Sequence, residues 1–321
     1  MIIKKVAIVL ITLLLANTTL ADSYPNEEKT TNFIVTPAVA YRYDVFKWAI
    51  PHKEFTNKKN SELIWKNHIV QPGIKFEIEP KQNQFTFLGQ VKYGYILKNQ
   101  SKSWDHDWDN TRDITGNVIS KLVSTTKSQT TGNILDLSGA VGYSLNLFKN
   151  NLFTFYLGYD YSDYQNKNYG DIQLAYKTNF SFSSGGLSRK YYFKTHSPWF
   201  GLSINTPITD RFQIVPTMKL YSFKHIGKGY WVHRGDLKQE HSFKNTAKGQ
   251  GLEFNLDLIY KYTNNLDLAL NLGTKRFKMR KGQNKTFFSS LSPGGERVST
   301  KELINLTLRS SSISAGLKYK L

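Results

Sequence analysis

Apolar and polar residues alternate along much of this chain with a period of two. In the run Leu135–Phe148, Leu135, Leu137, Val141, Tyr143, Leu145 and Leu147 share one face, and Asp136, Ser138, Ala140, Gly142, Ser144 and Asn146 share the other. The run Leu252–Tyr262 sets Leu252, Phe254, Leu256, Leu258, Tyr260 and Tyr262 against Glu253, Asn255, Asp257 and Lys261. This period predicts strands with one apolar and one polar face. Ten such segments are predicted, at 33–48, 62–79, 85–98, 133–148, 152–164, 190–206, 211–223, 251–262, 266–280 and 303–321.

An even number of long alternating strands, rich in tyrosine and phenylalanine, predicts an all-β protein: a closed antiparallel ten-stranded transmembrane β-barrel. Apolar residues would face lipid and polar residues the lumen, and closure would leave no free sheet edge. The connections agree. Short turns at Glu79–Gln84, Lys149–Asn151, Thr206–Asp210 and Thr263–Asn265 alternate with long polar segments near 49–61, 98–132, 164–190, 224–250 and 281–302. Barrels of this kind have tight turns at one end and long outer loops at the other. A soluble sandwich or lipocalin-like barrel would have shorter strands and turn its apolar faces inward.

The N-terminus changes the picture by fixing a compartment. Lys4 and Lys5 precede an apolar run, Val6–Leu15, and a small-residue exit at Thr19–Ala21. That pattern predicts a signal peptide over residues 1–21, and a single barrel domain over 22–321. The apolar run is too short to cross a bilayer as a helix. The expected location is a bacterial outer membrane, with the long loops outside.

Cysteine is absent, so no disulfide supports the fold. Charge is lopsided, with 43 basic against 24 acidic residues and a net charge of +19. Loss of Lys4 and Lys5 with the signal peptide would leave +17. Such a balance points to an anionic neighbour. An exported chain without basic residues interleaved among aromatics in a nucleic-acid motif points away from nucleic acid and toward anionic outer-membrane lipid.

The candidate chemistry lies in Ser103–Asn110, SWDHDWDN, where Asp105, Asp107 and Asp109 occupy alternate positions. Residues two apart on a pleated segment share a face. Carboxylates crowded in this way need a proton, a metal or a cationic partner. Calcium is one possible partner, although the run lacks the glycine and distal glutamate of an EF-hand loop. No cluster has zinc spacing. A second polar group, Gly227–His241, follows the seventh predicted strand. In a ten-strand ring it would face the first from the opposite wall. Asp105 and Asp107 could then lie across the mouth from His233 or His241 and hold a water between them.

At these residues the chain resembles the omptins, outer-membrane endopeptidases built as ten-stranded barrels. Ser61–Ile78 looks like their second strand, Asp105–Trp108 matches their Asp-x-Asp-Trp, Arg189–Ser203 looks like their sixth strand, and Ala315–Leu321 looks like their C-terminus. The resemblance implies a polypeptide substrate or a host surface protein as partner. It also implies a water polarised between an aspartate pair and an Asp-x-His dyad, with no cofactor needed for the chemistry. Asp105 and Asp107 take the places of the pair, and His233 that of the histidine, with His241 as the alternative. Tyr260 falls where the family has its tyrosine.

Three departures accompany the resemblance. Trp231 and Gln239 stand two residues before His233 and His241, where the family has an acid. Such an acid orients an imidazole and stabilises its charged form, and Asp236 is the candidate to replace it. Asp44 stands where a substrate-binding glutamate is expected, yet the segment Lys224–Lys248 is strongly basic. Lipopolysaccharide is the implied lipid activator, but Asp163 occupies an arginine position, leaving Arg189, Lys190 and Lys194 to compensate. The resulting expectation is an endopeptidase at the barrel mouth. The rival is an impaired barrel of the same shape that serves as an adhesin or binding protein. A small-solute porin is a third reading, disfavoured because ten strands leave a narrow lumen.

Overall fold

The computed structural model describes residues 31–52, 54–55, 58–80, 84–148, 151–176, 184–232 and 234–321. They form twelve strands: β1 Thr31–Pro51, β2 Lys59–Pro80, β3 Phe85–Ile96, β4 Lys102–Arg112, β5 Val118–Phe148, β6 Asn151–Tyr176, β7 Ser184–Pro207, β8 Phe212–Trp231, β9 Phe243–Lys261, β10 Leu266–Phe288, β11 Arg297–Glu302 and β12 Asn305–Lys320. Every pairing is antiparallel, and β1 pairs with both β2 and β12, so the sheet closes into a ring. The proposed signal peptide lies outside the described residues.

The ring has ten positions although the strands number twelve. β3 and β4 follow one another between β2 and β5: β2 pairs with β3 from Ile69 to Ile78 and with β4 from Ser61 to Lys66. β11 likewise continues the wall of β12 along β10. The expected count of ten strands is therefore corrected to twelve on a ten-position ring. The segment 98–132 is also not a loop, since it contains β4 and the first half of β5.

Short connections at 207–212 and 261–266 mark one end of the ring, here the turn end. The segments 52–58, 232–242 and 289–296 mark the other, the loop end. Around the turn-end half, Val141, Leu157, Leu220, Leu252, Phe254 and Leu270 stand exposed on the outer face. Their sequence neighbours face inward, as period-two geometry requires.

The interior has two layers. Toward the loop end, Phe46, Trp48, Trp65, Tyr191, Phe193 and His225 are almost fully buried and fill the lumen from wall to wall. Phe193 stacks on Phe46 at 4.5 Å and on Tyr164 at 4.3 Å, and Trp65 stacks on Tyr191 at 5.0 Å. Gly227 makes room for this plug, because a Cβ there would overlap the Tyr191 hydroxyl.

Beneath the plug lies a charged layer. Arg42 donates to Asp44 at 2.8 Å and to Asp136 at 2.7 Å. Lys275 contacts Asp160 at 3.3 Å and Glu253 at 3.2 Å. Buried charge is tolerated when paired and hydrogen-bonded; every charge named here is paired, although Arg42 Nε and Asp44 Oδ1 are buried without a hydrogen-bond partner among the described residues.

Candidate functional site

The site starts from a break in one wall. β3 turns Gln90, Lys92, Gly94 and Ile96 inward. Residues 97–101 then form a turn, held by the Leu97 N–H donating to the His68 carbonyl at 2.8 Å and the Ser101 N–H donating to the Leu97 carbonyl at 2.9 Å. Between the paired positions Ile96↔Gly132 and Lys102↔Gln129, this wall takes six steps where β5 takes three. The odd difference reverses the phase, so β4 turns Ser103, Asp105 and Asp107 inward. Without the break, His106 would face the lumen and the aspartates would face out.

Asp105 lies opposite Leu63 and Thr126, and Asp107 opposite Ser61 and Ser124. Both stand well beyond the apolar outer band, near the loop end. Arg189 on β7 reaches across to Asp105 with a 2.7 Å hydrogen bond from Nη1. Its Nη2 donates to Ser128 Oγ at 2.6 Å and to Asp171 Oδ1 at 3.5 Å, and Ser188 Oγ donates to the same Asp171 oxygen at 2.7 Å. Arg189 is only 4% exposed. Asp105 is thus neutralised by a buried guanidinium.

Asp107 has no ion-pair partner within 4 Å among the described residues and accepts a hydrogen bond from Ser61. Burial, and then the neighbouring Asp105, push its carboxyl up to about 7, while Ser61, Arg234 and Arg189 oppose the shift. A proton therefore relieves the crowding at Asp107 and a cationic partner relieves it at Asp105. Among the described residues no group of three or more His, Asp or Glu could hold a metal ion.

The facing segment is Val232–Ser242. Arg234 Nε and Nη2 each donate to Asp236 at 2.6 Å, one to each carboxylate oxygen. That contact raises the Arg234 guanidinium and lowers the Asp236 carboxyl. Gln239 Nε2 pins the turn by donating to the carbonyls of Trp231, Arg234 and Leu237. Lys238 N–H donates to Phe287 O at 3.0 Å and Ser289 N–H to Asp236 O at 2.9 Å, which tie the segment to the end of β10. Trp231 is buried edge-on against Phe243 at 4.7 Å.

The sequence profile of the Protochlamydia outer membrane protein family, Pom, matches residues 37–321. The chain belongs to this family. No curated relative matches the Pom chain in sequence. In shape it is similar to the outer membrane protease OmpT from Escherichia coli, with a TM-score of 0.70 at 15% identity over 92% of this chain and 99% of that one. That likeness shows the fold, an outer-membrane β-barrel. A weaker likeness is to the translocator domain of the autotransporter NalP from Neisseria meningitidis, with a TM-score of 0.37 at 8% identity over 98% and 96% of the two chains. Family and fold together assign the Pom chain to the outer membrane.

Of the residues expected at the mouth, Asp105 and Asp107 lie on one inward face, within electrostatic reach of Arg234. His233 lies outside the described residues. Asp236 is held by Arg234 through both carboxylate oxygens. His241 packs edge-on against Phe287 at 4.3 Å.

Two expectations are corrected. Asp44 is fully buried beneath Phe46, paired with Arg42 and accepting from the Tyr164 hydroxyl at 2.9 Å, so no substrate side chain at the mouth can touch it. Arg189 points into the lumen and does not compensate on the outer wall for Asp163, which is paired with Lys194 at 3.5 Å. The alternation Arg189, Tyr191, Phe193 is the sequence signal that would have placed Arg189 inward. Asp171 gave no such signal.

Proposed function

We propose that this Pom barrel binds a polypeptide partner at its mouth through the Asp105–Asp107 site and does not cut it. The observation that carries this reading is the Arg189–Asp105 contact. An acid that shares in activating a water must accept a proton or polarise the water in the transition state. Asp105 instead spends its charge on a buried arginine. The dyad position two residues before His233 holds Trp231, an indole that can accept nothing from an imidazole, and Asp236 is occupied by Arg234. The mouth is thus an array of fixed charges and hydrogen-bond groups, suited to recognition. The loop end faces outward on this reading.

Endopeptidase activity is the second reading, favoured by Asp107. Its carboxyl is half ionised near neutral pH and faces the segment that bears His233. Peptide-library cleavage by the refolded protein with lipopolysaccharide, beside an Asp107→Asn control, separates the two. Cleavage lost in the control establishes the protease. No cleavage by either, from a folded barrel that retains a peptide ligand, supports binding.

For the lipid, the support lies on the outer wall. Lys228, Lys244 and Lys285 are lateral neighbours on β8, β9 and β10, and Lys224, Lys248 and Lys281 form a second row below them. All six are exposed. Like charges side by side repel, and multivalent phosphate, as in lipopolysaccharide, would relieve the repulsion.

A further inference from the structure

Below the charged layer the lumen opens into a cavity of about 620 Å³. Its wall runs from Asn32, Gln84 and Asn205, at the turn end, up to Gln71, Lys92 and Glu253. The plug of Phe46, Trp65, Tyr191 and Phe193 closes everything above. The cavity is a vestibule on the turn-end side of the plug. Its volume is that of an ordinary small-molecule site.

The charges lining it are balanced. Four are lysines, Lys75, Lys92, Lys219 and Lys318; four are carboxylates, Glu77, Glu79, Glu253 and Asp257. Some neutralise one another: Glu77 accepts from Lys75 at 2.9 Å and from Lys318 at 3.3 Å, and Lys219 reaches Glu253 at 3.4 Å. Three do not. Among the described residues Glu79, at the turn-end rim opposite Asn32, and Lys92, deeper in the wall, have no partner within ion-pair distance, and Asp257 accepts only a 2.7 Å hydrogen bond from Asn271. Lys92 is on β3 and Asp257 on β9, five positions apart by either route around the ten-position ring. They stand on opposite walls of the vestibule.

A net anion would meet the carboxylates, and a net cation the lysines. A solute that carries both charges avoids either penalty and satisfies Lys92 and Asp257, the two open groups inside the rim. We infer that the vestibule is a binding site for a small zwitterion of amino-acid or dipeptide size, its carboxylate toward Lys92 and its ammonium toward Asp257. The surrounding amides and hydroxyls, Gln71, Gln90, Asn255 and Asn271 among them, supply neutral hydrogen bonds. The inference is independent of the mouth, which lies on the far side of the plug.

The test is titration calorimetry of the refolded barrel with glycylglycine, beside acetate, methylammonium and glucose at equal concentration. Saturable binding of glycylglycine is expected, about tenfold or more tighter than any of the other three. Lys92→Gln and Asp257→Asn should each weaken it by about tenfold, with Lys92→Arg retaining it. Asp107→Asn, at the mouth, should leave it unchanged. Absence of saturable glycylglycine binding overturns the proposal, as does equal binding of glucose. Retention in both Lys92→Gln and Asp257→Asn overturns it as well. A lysine or aspartate variant that fails to refold is replaced by Ala269→Trp, which fills the vestibule from a small lining residue and should abolish binding.

Discussion

Arg189 of β7 and Asp105 of β4 meet at 2.7 Å with side chains 5% and 16% exposed, three wall positions apart around the ring. The contact braces the loop end from inside. Removing one partner of such a pair leaves an uncompensated buried charge. Arg189→Met should therefore destabilise the barrel by about 3–5 kcal/mol, and adding Asp105→Leu should recover most of the loss. Urea unfolding of the refolded protein, followed by tryptophan fluorescence, measures both.

Asp107 gives the mouth a pH dependence of definite sign. Its carboxyl sits near 7 when folded and near 3.8 when unfolded. The folded state therefore binds the proton more tightly. The stability this contributes is complete below pH 4 and is lost as pH rises toward and through 7. The slope approaches about 1.4 kcal/mol per pH unit at most, less where Arg234 relaxes toward the ionised acid. Asp107→Asn should flatten this slope between pH 4 and 7 and raise stability at pH 8. Unfolding midpoints across that range decide it; an unchanged slope in the variant would assign the dependence elsewhere.

The plug depends on glycine at one contact in particular. Gly227→Ala should cost about 1–3 kcal/mol, because the new methyl overlaps the Tyr191 hydroxyl. Tyr191→Phe removes that oxygen, together with its hydrogen bonds to His225 and Asn245. The double variant should then be more stable than the sum of the two single losses. A strictly additive result would place the strain at another neighbour.

A sealed lumen should not conduct. In planar bilayers the intact protein is expected to show no single-channel steps. Trimming the plug with Phe46→Ala and Phe193→Ala should destabilise by about 3–5 kcal/mol per ring and introduce leak. Regular conductance from the unmodified protein would mean that the aromatic layer moves.

The outer lysine rows carry a prediction about lipid. Lys228→Glu with Lys244→Glu should lower retention of the barrel on lipopolysaccharide-containing vesicles several-fold at low salt, with the difference shrinking as salt is raised. Co-sedimentation at two ionic strengths reads this directly.

The turn-end half of the fold was legible in the sequence because each strand there separates an apolar outer face from a polar inner one. Leu252 against Glu253, and Val141 against Ala140, are such contrasts. The loop-end half was not, because water reaches its outer face and polar residues occupy both sides. Val118–Gly132, with its serines, threonines and lysines, reads as a loop for that reason, though it is strand throughout. At the mouth, the aspartate pair was visible from its spacing. Its partner was hidden, because Arg189 lies next to Lys190 and shares its charge, and only the phase of Tyr191 and Phe193 distinguishes an inward arginine from an outward lysine. Asp44 was misplaced by the opposite error: a position near a strand end was taken for a position near the opening, whereas β1 continues to Pro51.

The turn at 97–101 lets one wall of the barrel carry two phases that need not keep step. An insertion or deletion of one residue in an unbroken strand would exchange every lumen side chain for a lipid-facing one. Here such a change within the turn is absorbed locally, leaving Lys92 below and Asp105 above in their own phases. The neighbouring walls have no such freedom: β2 and β5 run past the turn as single strands, and a one-residue change in either would be felt along its whole length.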